Sequence, residues 1–308
     1  MQTTNDNAIA INSLKAWLLA ARPKTLISAI VPVAIGVALA WKDTNGSGFQ
    51  LAPALLCFLF AGLMQIDANF INDYYDCLKG NDASETRLGP KRACSEGWIS
   101  LAAMRKGITF TTLLASFVGL PLMHYGGWEM LIVGGLCIIF SFLYTTKFSY
   151  LGLGDLLVVI FFGIIPVCLS YYVSLLPLHQ NITWEVFVLS LACGLVIDTL
   201  LVVNNYRDRE LDEKAGKKTL VVHIGEKQAE TLYFFLGVFA VIGAGNTSIS
   251  SLFPAYFVYL YFHFATHKKL KAIKKGKALN QVLGATARNI FIFGFITVAS
   301  ILIVIFKN

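Results

Sequence analysis

Nine apolar runs, most of them long enough to cross a bilayer as a helix, dominate this chain of 308 residues. They lie at about Leu26 to Trp41 and at 51–75, 105–123, 129–147, 154–176, 184–206, 229–247, 251–266 and 288–306. Hydrophobic residues make up 56% of the chain and charged residues 14%, a balance that excludes an ordinary soluble enzyme. The expected fold is all-α: a multispanning membrane protein of nine transmembrane helices, with Pro32 bending the first. Residues 1–20 are expected to form a polar tail and an interfacial amphipathic helix from Ala8 to Ala20, anchored by Trp17. No basic segment precedes a cleavable apolar core, so no signal peptide is expected. Residues 21–308 are expected to form a single transmembrane domain.

The formal charge of +7 is explained by where the basic residues fall. The N-terminal segment and the loops after the second, fourth, sixth and eighth runs, with the run ends that border them, hold every Lys and Arg except Lys42 and Lys307. The alternate loops, around 122–128, 177–183 and 246–251, hold none. Retained loops carry the Lys and Arg excess, so this sorting predicts a multi-pass protein of the inner (cytoplasmic) membrane. Its N-terminus would lie inside and its C-terminus outside. No nucleic-acid partner is needed to account for the charge. The run HKKLKAIKKGK from His267 to Lys277 reads as an orientation and anionic-lipid signal. Six cysteines are scattered mostly through apolar segments without CxxC spacing, so neither a disulfide framework nor a zinc site is expected.

Two stretches break the apolar pattern. NFINDYYDCLKGND, from Asn69 to Asp82, places Gln65, Asn69, Asn72, Asp73 and Asp76 within an arc of roughly 100° on a helix. NNYRDRELD does the same for Asn204, Asn205, Asp208 and Asp212, with Asp198 near the edge of that arc and deeper in the span. Both carboxylate pairs end an apolar run and precede a basic loop on the cytoplasmic side. The two acid-bearing helices are the second and the sixth, four places apart in the order of spans, an arrangement compatible with parallel structural repeats meeting at a shared site.

Paired carboxylates on two helices suit a divalent cation held by oxygen, and Mg²⁺ is commonly bound through one or two carboxylates together with substrate phosphates. Lys79, Arg87, Arg92, Lys147, Arg207 and Lys217 lie near enough in sequence to neutralise diphosphate oxygens. The plainer reading is that each cluster is a wetted helix end whose acids and amides act as caps. Withdrawing charge from a diphosphate ionises an allylic C–O bond, and an apolar cavity would shield the resulting carbocation from water. A transporter of an anionic lipid or nucleotide is the competing class, although it would favour single acids in broken helices near the bilayer centre. Two readings stand for Asp198, which either orients or deprotonates a ring acceptor or hydrogen-bonds to a packed helix. Tyr144 is either a contact to phosphate or ring or an interfacial tyrosine. Asp67 points away from the Asp76 face, so a partner on a neighbouring helix is expected for it.

NDYYDCLKGND with RLGPKRA, followed by NNYRDRELDEKAGKKTLVVHIG, resembles the two aspartate-rich signatures of the UbiA superfamily of intramembrane prenyltransferases. Within it the resemblance is to the MenA branch, which prenylates 1,4-dihydroxy-2-naphthoate. RPKT at Arg22 to Thr25, YTTKFSYLGLGD at Tyr144 to Asp155, FFG at Phe161 to Gly163 and ALNQVLGATAR at Ala278 to Arg288 extend it over nearly the whole chain from about residue 21. The resemblance implies a nine-helix bundle with a central cavity and cytoplasmic cap loops, and Mg²⁺ bridging a polyprenyl diphosphate. It also implies transfer of the prenyl group with loss of CO₂, giving demethylmenaquinone. Under it Asp73, Asp76, Asp208 and Asp212 are the metal-binding, catalytic acids. Asn69, Asn72, Lys79, Arg87, Arg92, Arg207 and Lys217 lie beside the diphosphate; Asn204, Tyr144, Lys147 and Asp198 complete the candidate substrate contacts. The superfamily pattern NDxxDxxxD would put a third acid at position 80, where this chain has Gly80 and supplies Asp82 instead. The segment holding Lys147 is shorter than in relatives. Other aromatic acceptors, 4-hydroxybenzoate, homogentisate or haem, remain open.

Overall fold

In a hydrocarbon layer every backbone amide must find its partner within the protein, and a helix does this within its own segment. The computed structural model, which describes residues 9–80, 87–247 and 250–307, is built mainly of helices in this way. A short helix α1 (Leu14–Ala21) precedes α2 (Ile27–Thr44), α3 (Leu51–Leu78), α4 (Leu101–Gly119) and α5 (Glu129–Thr146). Then follow α6 (Gly154–Val173), α7 (Trp184–Lys214), α8 (Leu220–Gly245), α9 (Tyr256–Ile273) and α10 (Leu279–Lys307). Among the described residues, eight segments are long and apolar enough to cross a membrane. They include all the expected spans except the eighth, α9, whose last turns carry His267, Lys268, Lys269 and Lys271 and dilute its apolar character. The fold therefore agrees with the expected bundle, with α9 falling short of the apolar character of a membrane span.

The helix ends are written locally. Ser13, Ser100, Thr183 and Thr219 each accept a hydrogen bond from the amide three residues on, capping α1, α4, α7 and α8. The two acid-bearing helices stop at glycines in left-handed conformation, Gly80 (φ 68°) after α3 and Gly216 (φ 71°) after α7. That need explains the glycine at position 80, while Asp82 lies outside the described residues. Helix α2 runs unbroken through Pro32. Gly225 (φ 79°) breaks α8 near its start, so the span proper begins beyond it, as the apolar run from 229 predicts.

Trp17 does not project outward as a membrane anchor. It packs edge to face on Phe70 at 5.3 Å, while Leu14, Leu18 and Leu19 hold the exposed face of α1. Asp67, fully buried on α3, finds its partners on α4, where Thr111 and Thr112 both donate to its carboxylate. The six cysteines are free.

Helix α7 is the spine of the larger core, its Leu189, Cys193, Val196 and Ile197 packing with Ile35 and Leu39 of α2, Val167 of α6 and Phe293 of α10. Helix α6 changes winding midway, with a π-helical stretch over Val159–Ile164 between two α-helical ones. There a methyl group on Gly163 would lie 2.5 Å from the Gly194 Cα, so two glycines let the backbones of α6 and α7 meet. An apolar cavity of about 550 Å³ lies among α2, α3, α5 and α6, lined by Pro32, Phe60, Met64, Ile138, Phe161 and Phe162. Asn72 and Tyr144 bring polar atoms to its lining.

Candidate active site

The last turns of α3 hold the first acid cluster, and its members do different work. Asp73 is buried, its carboxylate accepting from the Ala93 and Cys94 amides at 2.9 and 3.1 Å. It clamps the loop that follows α3 to the helix. Asp76, one turn on, forms an ion pair with Arg92 at 3.0 Å and keeps partial exposure. Asn72 accepts from Thr145 at 2.5 Å, which ties α3 to α5. Asn69 donates to the Ala21 carbonyl at 3.0 Å and the Thr25 hydroxyl at 2.9 Å, holding the RPKT corner. That corner turns through Arg22 in left-handed conformation (φ 49°, ψ 68°).

The second cluster ends α7. Arg207, almost fully buried, grips Asp208 through two nitrogens, with Nε to Oδ1 at 2.8 Å, and also donates to Asn204 at 2.8 Å. Its remaining nitrogen donates to Asn280 of α10 at 2.9 Å, and Asn280 in turn donates to the Leu88 carbonyl at 2.8 Å. The loop after α3 is thereby fastened to the end of α7. Asp212 pairs with Lys217 at 3.6 Å.

The two ends face each other. A Cβ on Gly89 would lie 2.8 Å from an Arg207 nitrogen and 3.2 Å from one of Arg87, so both guanidiniums converge on that loop. Arg87 feels the charges of Asp76 from one cluster and Asp208 from the other. Burial and the neighbouring Arg92 bring it down to about 10, low for a guanidinium yet still cationic at neutral pH. Asp212 lies within the field of both Asp208 and Asp76, and Tyr144 within that of Asp212 and Asp76. Burial and the adjacent Asp73 push the Cys94 thiol up, so it is an inert neighbour.

Lys79 and Lys147 stand apart. Lys79 reaches the Thr146 carbonyl at 3.4 Å and lies over the Tyr150 ring at 4.2 Å, joining the ends of α3 and α5. Lys147 is exposed beyond the end of α5, and no ion pair joins it to the acids among the described residues. Asp198 is buried deeper in α7, close enough to Asp155 of α6 to feel its charge.

Three residues that reach this region were not singled out from sequence. Arg22 lies in the field of Asp73, Asp76, Arg87 and Arg92, and one of its guanidinium nitrogens is buried without a hydrogen-bond partner. Asn280 is the tie just described, and Asp155 faces Asp198. Each falls in a short segment, RPKT, ALNQVLG or GLGD, whose composition alone is unremarked. Only the fold gives them a common destination.

The donors at the facing ends are carboxylate and carboxamide oxygens, the set a hard cation such as Mg²⁺ takes. Among the described residues no three acidic, histidine or cysteine side chains close into a cage by themselves.

The profile of the UbiA prenyltransferase family matches residues 29–283, most of the chain. The chain belongs to the UbiA prenyltransferase family. Among curated UbiA relatives, the 1,4-dihydroxy-2-naphthoate octaprenyltransferase of Escherichia coli (strain K12) is 38% identical over 228 residues, covering 71% of each chain. Its namesake in Haemophilus influenzae is 34% identical, over 72% of this chain and 73% of that one. The same-named protein of Bacillus subtilis is 28% identical over 93% of this chain and 92% of its own. Solved UbiA structures share the fold. A UbiA homologue from Aeropyrum pernix superposes with a TM-score of 0.64 at 16% identity, over 92% of this chain and 98% of that one. A UbiA homologue from Archaeoglobus fulgidus bound to DMAPP and Mg²⁺ gives 0.60 at 16%, over 92% and 99%.

Proposed function

We propose that this UbiA protein transfers the prenyl group of a polyprenyl diphosphate to 1,4-dihydroxy-2-naphthoate, with loss of CO₂ and diphosphate, giving demethylmenaquinone, formed as its quinol, in menaquinone biosynthesis. The observation that carries prenyl transfer is the facing of two acid-bearing helix ends, Arg92 paired with one, Arg207 with the other and Arg87 in the field of both, near an apolar cavity. The naphthoate acceptor rests on the relatives of that name at 34–38% identity.

Asp76, Asp208 and Asp212, with the Asn72 and Asn204 carboxamides, would hold Mg²⁺, which supplies charge neutralisation to the diphosphate. Arg87, Arg92, Arg22, Arg207 and Lys217 surround the same space, and their fixed positive charge draws the leaving electron pair onto diphosphate. All five are buried or half-buried, so their field is less screened than at an open surface. Asp73 and Asn69 act through backbone, fixing the 93–94 loop and the RPKT corner. The apolar walls keep water from the allylic cation, and Tyr144 stands between the acids and the cavity.

Residues 21–308 act as one transmembrane prenyltransferase domain, with residues 1–20 a tail and short surface helix. The Lys and Arg sorting favours the inner membrane with the N-terminus inside, the C-terminus outside and the site toward the cytoplasm. The test offers the purified protein labelled polyprenyl diphosphate and a panel of acceptors, with and without Mg²⁺. Magnesium-dependent prenylation of dihydroxynaphthoate with CO₂ release is expected; preference for 4-hydroxybenzoate would overturn the acceptor assignment. Reporter fusions at Asn308 should be active only on the external side.

A further inference from the structure

Asp155 and Asp198 form a second carboxyl pair, distinct from the acids at the helix ends. They are 7% and 2% exposed, on α6 and α7 respectively, and each lies in the other's reach. Neither Asp155 oxygen has a hydrogen-bond partner, nor does Asp198 Oδ1. No cation contributes to the electrostatics of either; the titratable groups that reach them are each other and Tyr144 of α5. Two buried acids in each other's field, with three of their four oxygens lacking a partner from another residue, are costly, and two such carboxyls do not both ionise. In a membrane protein such a pair marks a functional site.

The surroundings connect the pair to the cavity. A Cβ on Gly154, next to Asp155, would lie 3.6 Å from the Tyr144 hydroxyl and 3.4 Å from Leu201, one turn along α7 from Asp198. Tyr144 lines the cavity, as does Val158, one turn along α6 from Asp155. The π-helical stretch that follows places Phe161 and Phe162 on the same cavity wall. Tyr144 also lies in the field of Asp212 and Asp76. Tyr144 therefore neighbours both this pair and the diphosphate end.

We infer that Asp155 and Asp198 share one proton and together seat the ring hydroxyl of the aromatic acceptor, the ionised member accepting the hydroxyl proton as the ring is alkylated. This deepens the prenyltransferase reading and rests on it. A singly charged pair would repel the acceptor's own carboxylate, so a hydroxyl faces it. The step balances. The ring carbon bearing the carboxylate bonds to the allylic carbon as the allylic C–O bond breaks, its electron pair leaving on diphosphate. The adjacent C–OH becomes C=O, and its proton passes to the aspartate. The β-keto carboxylate so formed loses CO₂, and the enolate oxygen takes the proton back. No oxidant is consumed, so the product leaves as the quinol.

The test uses Asp155→Asn and Asp198→Asn in the full-length protein in lipid nanodiscs. Each is expected to lower kcat with dihydroxynaphthoate by about 100-fold or more. The KM for polyprenyl diphosphate should stay within about twofold, and thermal stability should be unchanged or higher because an unpaired buried acid is gone. The variants' rate should climb as pH rises toward ionisation of the acceptor's own hydroxyl, which supplies what the pair no longer does. In wild-type protein, adding acceptor should alter a protonated-carboxyl stretch in the infrared difference spectrum; no change there overturns the inference even if a variant fails to insert. Variants with wild-type kcat and pH profile also overturn it, as do variants that lose stability and diphosphate affinity together, which indicates packing. Wild-type protein that prenylates no naphthoate defeats the acceptor assignment and this inference with it; a normal wild type with unchanged variants defeats only the inference.

Discussion

Replacing Asp73 by alanine should unfasten the loop after α3 before it disturbs any metal. Its carboxylate is buried and both oxygens are engaged by backbone amides, at 2.9 Å from Ala93 and 3.1 Å from Cys94. A hydrogen bond to a charged group contributes about 1.5–3 kcal/mol, so losing two removes about 3–6 kcal/mol from the local closed state. At about 1.4 kcal/mol per factor of ten, opening of the 93–94 segment becomes about 10²–10⁴ times more frequent. Hydrogen exchange at the Ala93 and Cys94 amides, followed by mass spectrometry in nanodiscs, reads that change directly. Turnover should fall as well, because Arg92, which pairs with Asp76, is carried on the same loop. The informative comparison is Asp76→Asn: it should leave exchange at 93–94 near wild type while lowering turnover. If Asp73→Ala leaves exchange at those amides unchanged and abolishes only the magnesium response, the clamp argument is wrong and Asp73 belongs with the metal ligands.

Chelating divalent cations should abolish prenyl transfer, with Mg²⁺ restoring it, and Asp208→Asn should weaken that restoration by at least about tenfold in the Mg²⁺ concentration required. Thr111→Val with Thr112→Val leaves the buried Asp67 carboxylate without its donors and should cost about 3–5 kcal/mol, measured as a lower melting temperature. Adding Asp67→Leu in that background should recover most of the loss. Gly163→Ala puts a methyl 2.5 Å from the Gly194 Cα and should cost about 1–3 kcal/mol as α6 and α7 are forced apart. A melt indistinguishable from wild type would contradict the backbone contact.

The sequence by itself determined the architecture and the presence of acid clusters. Spans and their ends are local: apolar runs of bilayer length, Ser and Thr caps, and glycines able to turn left-handed at positions 80 and 216. Helical periodicity likewise put Asp76 and Asp73 on one arc and turned Asp67 away from it, toward the partner it finds on α4. Periodicity could not say which of the clustered acids is spent on the protein's own backbone. Asp73 and Asp76 share a face and differ only in what a loop some twenty residues later brings to them. The side of the bundle that Trp17 would meet was also undetermined, since the same indole that suits a membrane interface suits a slot beside Phe70. Long-range placement joined Arg22, Asn280 and Asp155 to the site, because nothing in the local spacing of their segments says which side chain reaches it. Local chemistry repeats along the chain and can be read there; encounters between residues 50 to 200 positions apart depend on how the helices pack, which only the folded bundle decides.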